Sequence, residues 1–308
     1  MNILVISYSR IGDTILATSL INHLIIENPD AEFTVVTSSI SKDIFQDMPQ
    51  LHNLIIVDKE KRSKHWVKIW KKTRVIKWDL IVDLRSSYLS YFINTKKRMI
   101  FRGSENNHKI DQFRKFLKIQ KNITPHIWAN SEKYKNIIKD KNLSENYICI
   151  APITNWTGKD WLINNYLELF NDPLFNDYQI VILGASDDEK TLSKLDHFKK
   201  NLSIEVINLM NCADMIESYF ILKKSTLFLG SDSSNMHLSV AAEIPTIGLF
   251  GPSNDQVYGP KGENNLTIRG NKSYIDIISD SNFTIEDAPS YLNDIKVDQV
   301  LSEIRKIL

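Results

Sequence analysis

Apolar and polar positions along this 308-residue chain come in blocks rather than alternating one by one. The clearest block is 227–252, LFLGSDSSNMHLSVAAEIPTIGLFGP. It runs as a short apolar stretch, a polar turn, an apolar stretch at helical spacing and a second short apolar run. Short unbroken apolar runs bounded by turn residues predict strands covered on both faces. Strands are therefore expected at 227–229 and 246–250, with a turn over 230–234 and a helix over 236–242.

The same grammar opens the chain. A strand is expected at 3–7, a turn at 8–12, a helix at 13–26 and a second strand at 32–37, after Pro29 and Asp30. Further strands are expected at 54–57, 80–84 and 99–101, with helical stretches between them, so this half predicts a parallel sheet flanked by helices. A polar, charged segment over 103–145 then leads into a new strand at 147–151, and strands at 180–183, 205–208, 226–229 and 246–250 follow. The expected boundary is near residue 145. Residues 1–145 form one Rossmann-like domain and 146–308 a second, whose last helix is free to pack back on the first. The length suits two domains, each with its own core.

Composition narrows the class. A net charge of +1 argues against bulk nucleic-acid binding. The two cysteines, Cys149 and Cys212, are too few for a disulfide framework, and Cys149 lies within the apolar run YICIAPI. A reducing cytoplasm is the expected compartment. The first residues, MNILVIS, lack the basic flank and cleavage site of a signal peptide, and no run approaches the length of a membrane span.

Candidate chemistry sits at the turns. Asp232, Ser233 and Ser234 fall where a helix begins, and a helix start presents unpaired N–H groups and the positive end of a macrodipole to a phosphate. His237 lies one turn further in. The plainer reading makes Asp232 or Ser233 a helix cap and His237 a satisfied histidine. The first turn, SYSRIGDTILATSL, has one glycine where a dinucleotide loop needs three, which argues against nicotinamide and flavin cofactors. Asp13 there is either an N-cap or a functional acid at the carboxyl end of the first strand.

Five blocks, in order and nearly end to end, resemble glycosyltransferase family 9, the bacterial ADP-heptose:lipopolysaccharide heptosyltransferases. They are Arg10-Ile11-Gly12-Asp13 with the following TILATSL; WDLIVDL at 78–84; IAPITNWTGKDWL with Lys159 and Trp161; Gly184-Ala185-Ser186-Asp187-Asp188; and Gly230, Asp232, Ser233, His237, Leu238, Ala241 and Pro245, with the LFGP run ending at Pro252. The chain departs from the family pattern at three places. Ser234 replaces a glycine, Asp188 stands where glutamate is usual, and the C-terminal segment YLNDIKVDQVLSEI has no cysteine.

The resemblance implies a GT-B fold, two Rossmann-like α/β domains with parallel sheets facing across a cleft. The acceptor would be held mainly by the first domain and the sugar nucleotide mainly by the second. It implies an inverting heptosyl transfer from ADP-heptose to a Kdo or heptose hydroxyl of the lipopolysaccharide or lipooligosaccharide inner core, with no metal and no cofactor. Asp13 would be the base. Lys159, Asp188 (or Glu189 in its place), Asp232, Ser233, Ser234 and His237 would bind the donor, and Arg10, Lys64 and Lys68 the acceptor. Two alternatives stay open: another nucleotide sugar, such as a UDP-hexose, and a non-catalytic sugar-nucleotide-binding protein.

The stretch 59–77 gathers Lys59, Lys61, Arg62, Lys64, Lys68, Lys71, Lys72, Arg74 and Lys77 against Glu60, interleaved with Trp66 and Trp70. Such a run is either a solvated helix face or a surface for an anionic membrane or a lipid-linked, charged oligosaccharide. The expected location is cytoplasmic, with possible peripheral contact on the inner face of the membrane.

Overall fold

The computed structural model describes residues 1–61, 64–104 and 106–308. Arg62 of the basic run lies outside the described residues. The chain divides into two compact units, Met1–Asn130 and Ser131–Leu308.

The first unit contains β1 (Asn2–Ile6), α1 (Ile11–Glu27), β2 (Glu32–Thr37), β3 (Leu51–Ile56), α2 (Lys64–Thr73), β4 (Trp78–Asp83), β5 (Thr95–Ile100) and α3 (Lys109–Leu117). The strands form one parallel sheet in the order β3-β2-β1-β4-β5. Ile3, Leu4, Val5 and Ile6 of the central strand are wholly buried, as an apolar run covered on both faces should be.

The second unit contains α4 (Ile137–Asp140), β6 (Tyr147–Ala151), α5 (Ile163–Phe170), β7 (Gln179–Ile182), α6 (Glu189–Lys200), β8 (Val206–Asn208), α7 (Met215–Leu222), β9 (Leu227–Ser231), α8 (Ser234–Ala241), β10 (Thr246–Phe250), α9 (Asp255–Tyr258), β11 (Asn265–Arg269), α10 (Tyr274–Ile278) and α11 (Val297–Ile304). Its six strands are parallel, in the order β11-β10-β9-β6-β7-β8. Two Rossmann-like units in one chain are the domain content of the GT-B architecture.

Several boundaries differ from expectation. The units part at residue 130 rather than 145, because the segment from Ser131 packs on the second sheet's surroundings: Tyr134 stacks on Phe220, Lys141 pairs with Glu217 at 3.1 Å, and the Ser144 N–H donates to Gln179. Helix α1 starts at Ile11, two residues before the expected start, so Gly12 is helical. Strand β11 was not expected, since Asn265, Thr267 and Arg269 interrupt its apolar pattern. The last helix packs on α5, and its Val300 and Ile304 join the core of the second unit.

Candidate functional site

In the second unit the strand order reverses at β6. The chain steps outward through β7 and β8, then returns to β9 on the other side of β6 and steps out again through β10 and β11. The carboxyl ends of β6 and β9 therefore flank a topological switch point, where open α/β sheets take their ligands. The loop after β6 carries Lys159 and the turn after β9 carries Asp232.

The loop after β6 is fastened at several points. Asp160 accepts from the Thr154 N–H at 2.8 Å, the Trp161 indole donates to the Ile295 carbonyl at 3.0 Å, and the Tyr291 N–H donates to the Gly158 carbonyl at 3.1 Å. A Cβ at Gly158 would lie 2.6 Å from the Trp156 ring, so the tight turn before Lys159 needs glycine. Burial pushes the Asp160 carboxyl up to about 6, against the opposing hydrogen bonds from Thr154.

Lys159 Nζ lies 2.6 Å from Asp232 Oδ2, and His237 Nε2 lies 3.7 Å from Asp232 Oδ1. Both carboxylate oxygens thus face a cationic or cation-capable partner. Burial alone would raise the Asp232 pKa. His237 and Lys159 outweigh it and hold the carboxyl well below the usual range. Asp232 is therefore an ionised anchor, largely out of water, that holds Lys159 and His237 beside the turn into α8. Neither capping reading holds. Ser233 occupies the N-cap position in an extended conformation, yet its side chain makes no capping bond. Among the described residues the buried Oγ atoms of Ser231 and Ser233 find no hydrogen-bond partner. The first N–H groups of α8 and these hydroxyls are donors held beside an ammonium. That arrangement suits an oxyanion. Ser234 is the first residue of α8 and, unlike a glycine, brings one more hydroxyl to the turn.

The loop after β7 is shaped by Gly184, whose φ of 148° is reserved for glycine, and by Asn211, which exchanges hydrogen bonds with Ser186. Asp188 is the N-cap of α6, and its Oδ2 accepts from both the N–H and the hydroxyl of Thr191. Those bonds lower its pKa. One carboxylate oxygen is thereby committed to the helix, while Glu189 next to it is exposed.

The first unit has its own switch point, between β1 and β4. Asp13 lies in the first turn of α1, immediately past β1. It is not the N-cap: Arg10 holds that position, without a side-chain bond, and is exposed. Among the described residues no hydrogen bond commits the Asp13 carboxylate. The loop after β4 is pinned by the buried Asp83, which accepts from the Arg85 and Ser87 N–H groups at 2.9 Å each. Burial raises the Asp83 pKa against these bonds.

Sequence reasoning missed Lys109. This lysine opens α3 inside the segment expected to be polar and irregular, and it is 8% exposed. Its Nζ lies 5.4 Å from the centre of the Tyr8 ring and 5.2 Å from that of Phe101. Burial draws its pKa below the ordinary lysine value, and the charge of Asp13 partly restores it. A lysine in an apolar-periodic helix (Ile110, Phe113, Leu117) was the available signal. Lys64 and Lys68 lie exposed on α2, Lys68 paired with Glu60, and among the described residues no hydrogen bond or ion pair joins either to Asp13. Among the described residues no group of three or more His, Cys, Asp or Glu side chains gathers as a metal site.

Residues 85–277 match the profile of glycosyltransferase family 9 (heptosyltransferase). The lipopolysaccharide core heptosyltransferase OpsX of Haemophilus influenzae is 21% identical over 80% of this chain and 78% of its own length. A glycosyltransferase family 9 structure from Veillonella parvula superposes with a TM-score of 0.83 at 19% identity, covering 99% of this chain and 96% of that one. The Escherichia coli ADP-heptose lipopolysaccharide heptosyltransferase II gives a TM-score of 0.76 at 18% identity over 100% and 98%. At these identities the structural likeness establishes the fold.

Proposed function

Since the chain belongs to glycosyltransferase family 9, we propose that this glycosyltransferase moves heptose from ADP-heptose to a Kdo or heptose hydroxyl of a lipopolysaccharide or lipooligosaccharide inner core, with inversion and without a metal. The observation that carries this reading is the Lys159–Asp232–His237 cluster beside the start of α8, whose N-cap Ser233 makes no side-chain capping bond, at the switch point of the second sheet. The sugar and the acceptor class are those of the relatives, the Haemophilus influenzae core heptosyltransferase and the Escherichia coli ADP-heptose enzyme.

In this reading the unit beginning at Ser131 takes the donor and the unit ending at Asn130 takes the acceptor. The acceptor oxygen attacks the anomeric carbon from the face opposite the diphosphate. The bond between that carbon and the phosphate oxygen breaks, and ADP leaves. Asp13 accepts the hydroxyl proton as the new bond forms, a task open to a carboxylate that no hydrogen bond holds among the described residues. Lys159, the N–H groups of α8 and the hydroxyls of Ser233 and Ser234 stabilise the charge that grows on the leaving diphosphate. His237 contacts a phosphate or the heptose. Asp232 acts through Lys159 and His237, as a positioning residue. Asp188 or Glu189 accepts from the adenosine ribose, and Arg10 with Lys64 and Lys68 meets the acceptor. Lys109 keeps positive charge beside Asp13, which favours its ionised form.

The test is release of ADP from ADP-heptose with a deeply truncated lipopolysaccharide core as acceptor. Acceptor-dependent release that disappears in Asp13→Asn supports the reading. No release from ADP-heptose, with release from a UDP-sugar, sinks the donor assignment; binding of nucleotide with no release from any donor sinks the enzymatic one.

A further inference from the structure

Helix α2 turns His65, Ile69 and Thr73 inward and leaves Lys64, Val67, Lys68, Lys71 and Lys72 in water. Beside it the short 3-10 turn Tyr88–Phe92 holds its bulkiest side chains outward: Tyr88 is 84% exposed and Phe92 72%. Between the two elements runs a groove of about 690 Å³, walled by Trp66, Val67, Trp70, Arg85, Tyr88 and Phe92. The Trp70 indole donates to the Phe92 carbonyl at 3.0 Å and so ties helix and turn into one surface. The Arg85 guanidinium sits 4.5 Å over the Trp66 ring and that of Arg74 4.4 Å over Trp70.

We propose that this face docks on an anionic lipid bilayer, with Tyr88, Phe92 and the groove walls entering the boundary between headgroups and acyl chains. Clustered exposed aromatics are uncommon on a surface that meets only water, and Tyr, Trp and Phe are the side chains enriched at the membrane interface. The lysines of α2 decide the sign of the partner. The whole chain carries only +1, yet over 59–77 Glu60 is the sole acid, and it pairs with Lys68. That leaves Lys64, Lys71, Lys72 and Arg74 to face phosphate headgroups. The sequence offered Trp66 and Trp70 as the lipid contact, with a solvated helix face as the alternative. In the structure both are half-buried against the core of the first unit, and the outermost aromatics are Tyr88 and Phe92.

The experiment uses the full chain and no nucleotide sugar, so its outcome does not depend on the donor assignment. Flotation is measured with vesicles of phosphatidylglycerol and phosphatidylcholine in equal parts and with phosphatidylcholine alone. Binding is expected to the anionic vesicles only and to weaken with salt. Lys71→Ala with Lys72→Ala should weaken it roughly 30-fold, from the worth of two charges near such a surface. Tyr88→Ser with Phe92→Ser should abolish quenching of tryptophan fluorescence by brominated acyl chains. All four side chains are exposed, and circular dichroism melts should confirm that both double variants fold. Three results overturn the proposal: no flotation of the wild type, equal flotation with neutral vesicles, or flotation and quenching unchanged in Tyr88→Ser/Phe92→Ser. If that variant instead loses a dimer on sizing while the wild type ignores vesicles, the face is a contact between copies.

Discussion

Replacing Lys159 with methionine keeps most of the side-chain volume and removes the ammonium 2.6 Å from Asp232. The remaining carboxylate is 12% exposed and keeps only His237, at 3.7 Å. Breaking one side of a buried pair costs about 3–5 kcal/mol, because a charge is left without compensation. Lys159 is 25% exposed and His237 stays, so a loss of about 2–3 kcal/mol is expected. The second substitution decides the cause. Asp232→Asn on the Lys159→Met background removes the orphaned charge and should recover most of the loss. Neither variant should show stabilisation by ADP. Hydrogen exchange at the amides of β9 and α8 reads the second unit on its own, which a global melt of a two-unit chain does not. The pH dependence carries a sign. The folded pKa of Asp232 lies below its unfolded value, so its contribution is present at neutral pH and is lost as pH falls through the acid range. The gap between wild type and Asp232→Asn should close on acidification. A double variant no more stable than Lys159→Met would refute the reasoning, since the loss would then not come from an uncompensated carboxylate.

Asp13→Asn should keep ADP binding and lose about 10²- to 10⁴-fold in turnover, measured as acceptor-dependent ADP release. Asp160 titrates near 6 in the folded protein and at 3.8 when unexposed to burial, so the folded state holds the proton more tightly. Its contribution is therefore full below about pH 4 and lost as pH rises through about 6, by about 3 kcal/mol at most. Hydrogen exchange at the amides of β6 and β9 in Asp160→Asn should lack that decline. Lys109→Met should reduce kcat/KM about tenfold and move the acidic limb of its pH profile upward, while Lys109→Arg restores the limb. An unmoved limb would make Lys109 a packing residue only.

The strands were legible because β6 is apolar along its whole length and β1 and β10 are so after their first residue, and the turn after β7 because Gly184 punctuates it. The pairing of Lys159 with Asp232 spans the chain from the end of one strand to the end of another. Only the order of strands in the sheet makes them neighbours, and a single sequence does not display that order; the family resemblance pointed at both residues without pairing them. Lys109 was missed for a different reason. A lysine at the start of a helix, in a segment rich in polar and charged residues, looks solvent-facing until the packing of α3 on α1 buries it. Asp188 was read from the sequence as a donor ligand, and the bonds from Thr191 show that it caps α6.

Under the proposed function, Asp232 also bears on how the nucleotide departs. An ammonium that already faces a carboxylate at 2.6 Å gives an arriving diphosphate less than its full Coulomb attraction, because the internal anion must first be shared or displaced. The same carboxylate stands ready to reclaim Lys159 when ADP loosens. In that reading the protein carries its own competitor for the product, which would shorten the residence of ADP at the cost of weaker donor capture. Removing the competitor while keeping the ammonium would trade rapid release for tight binding.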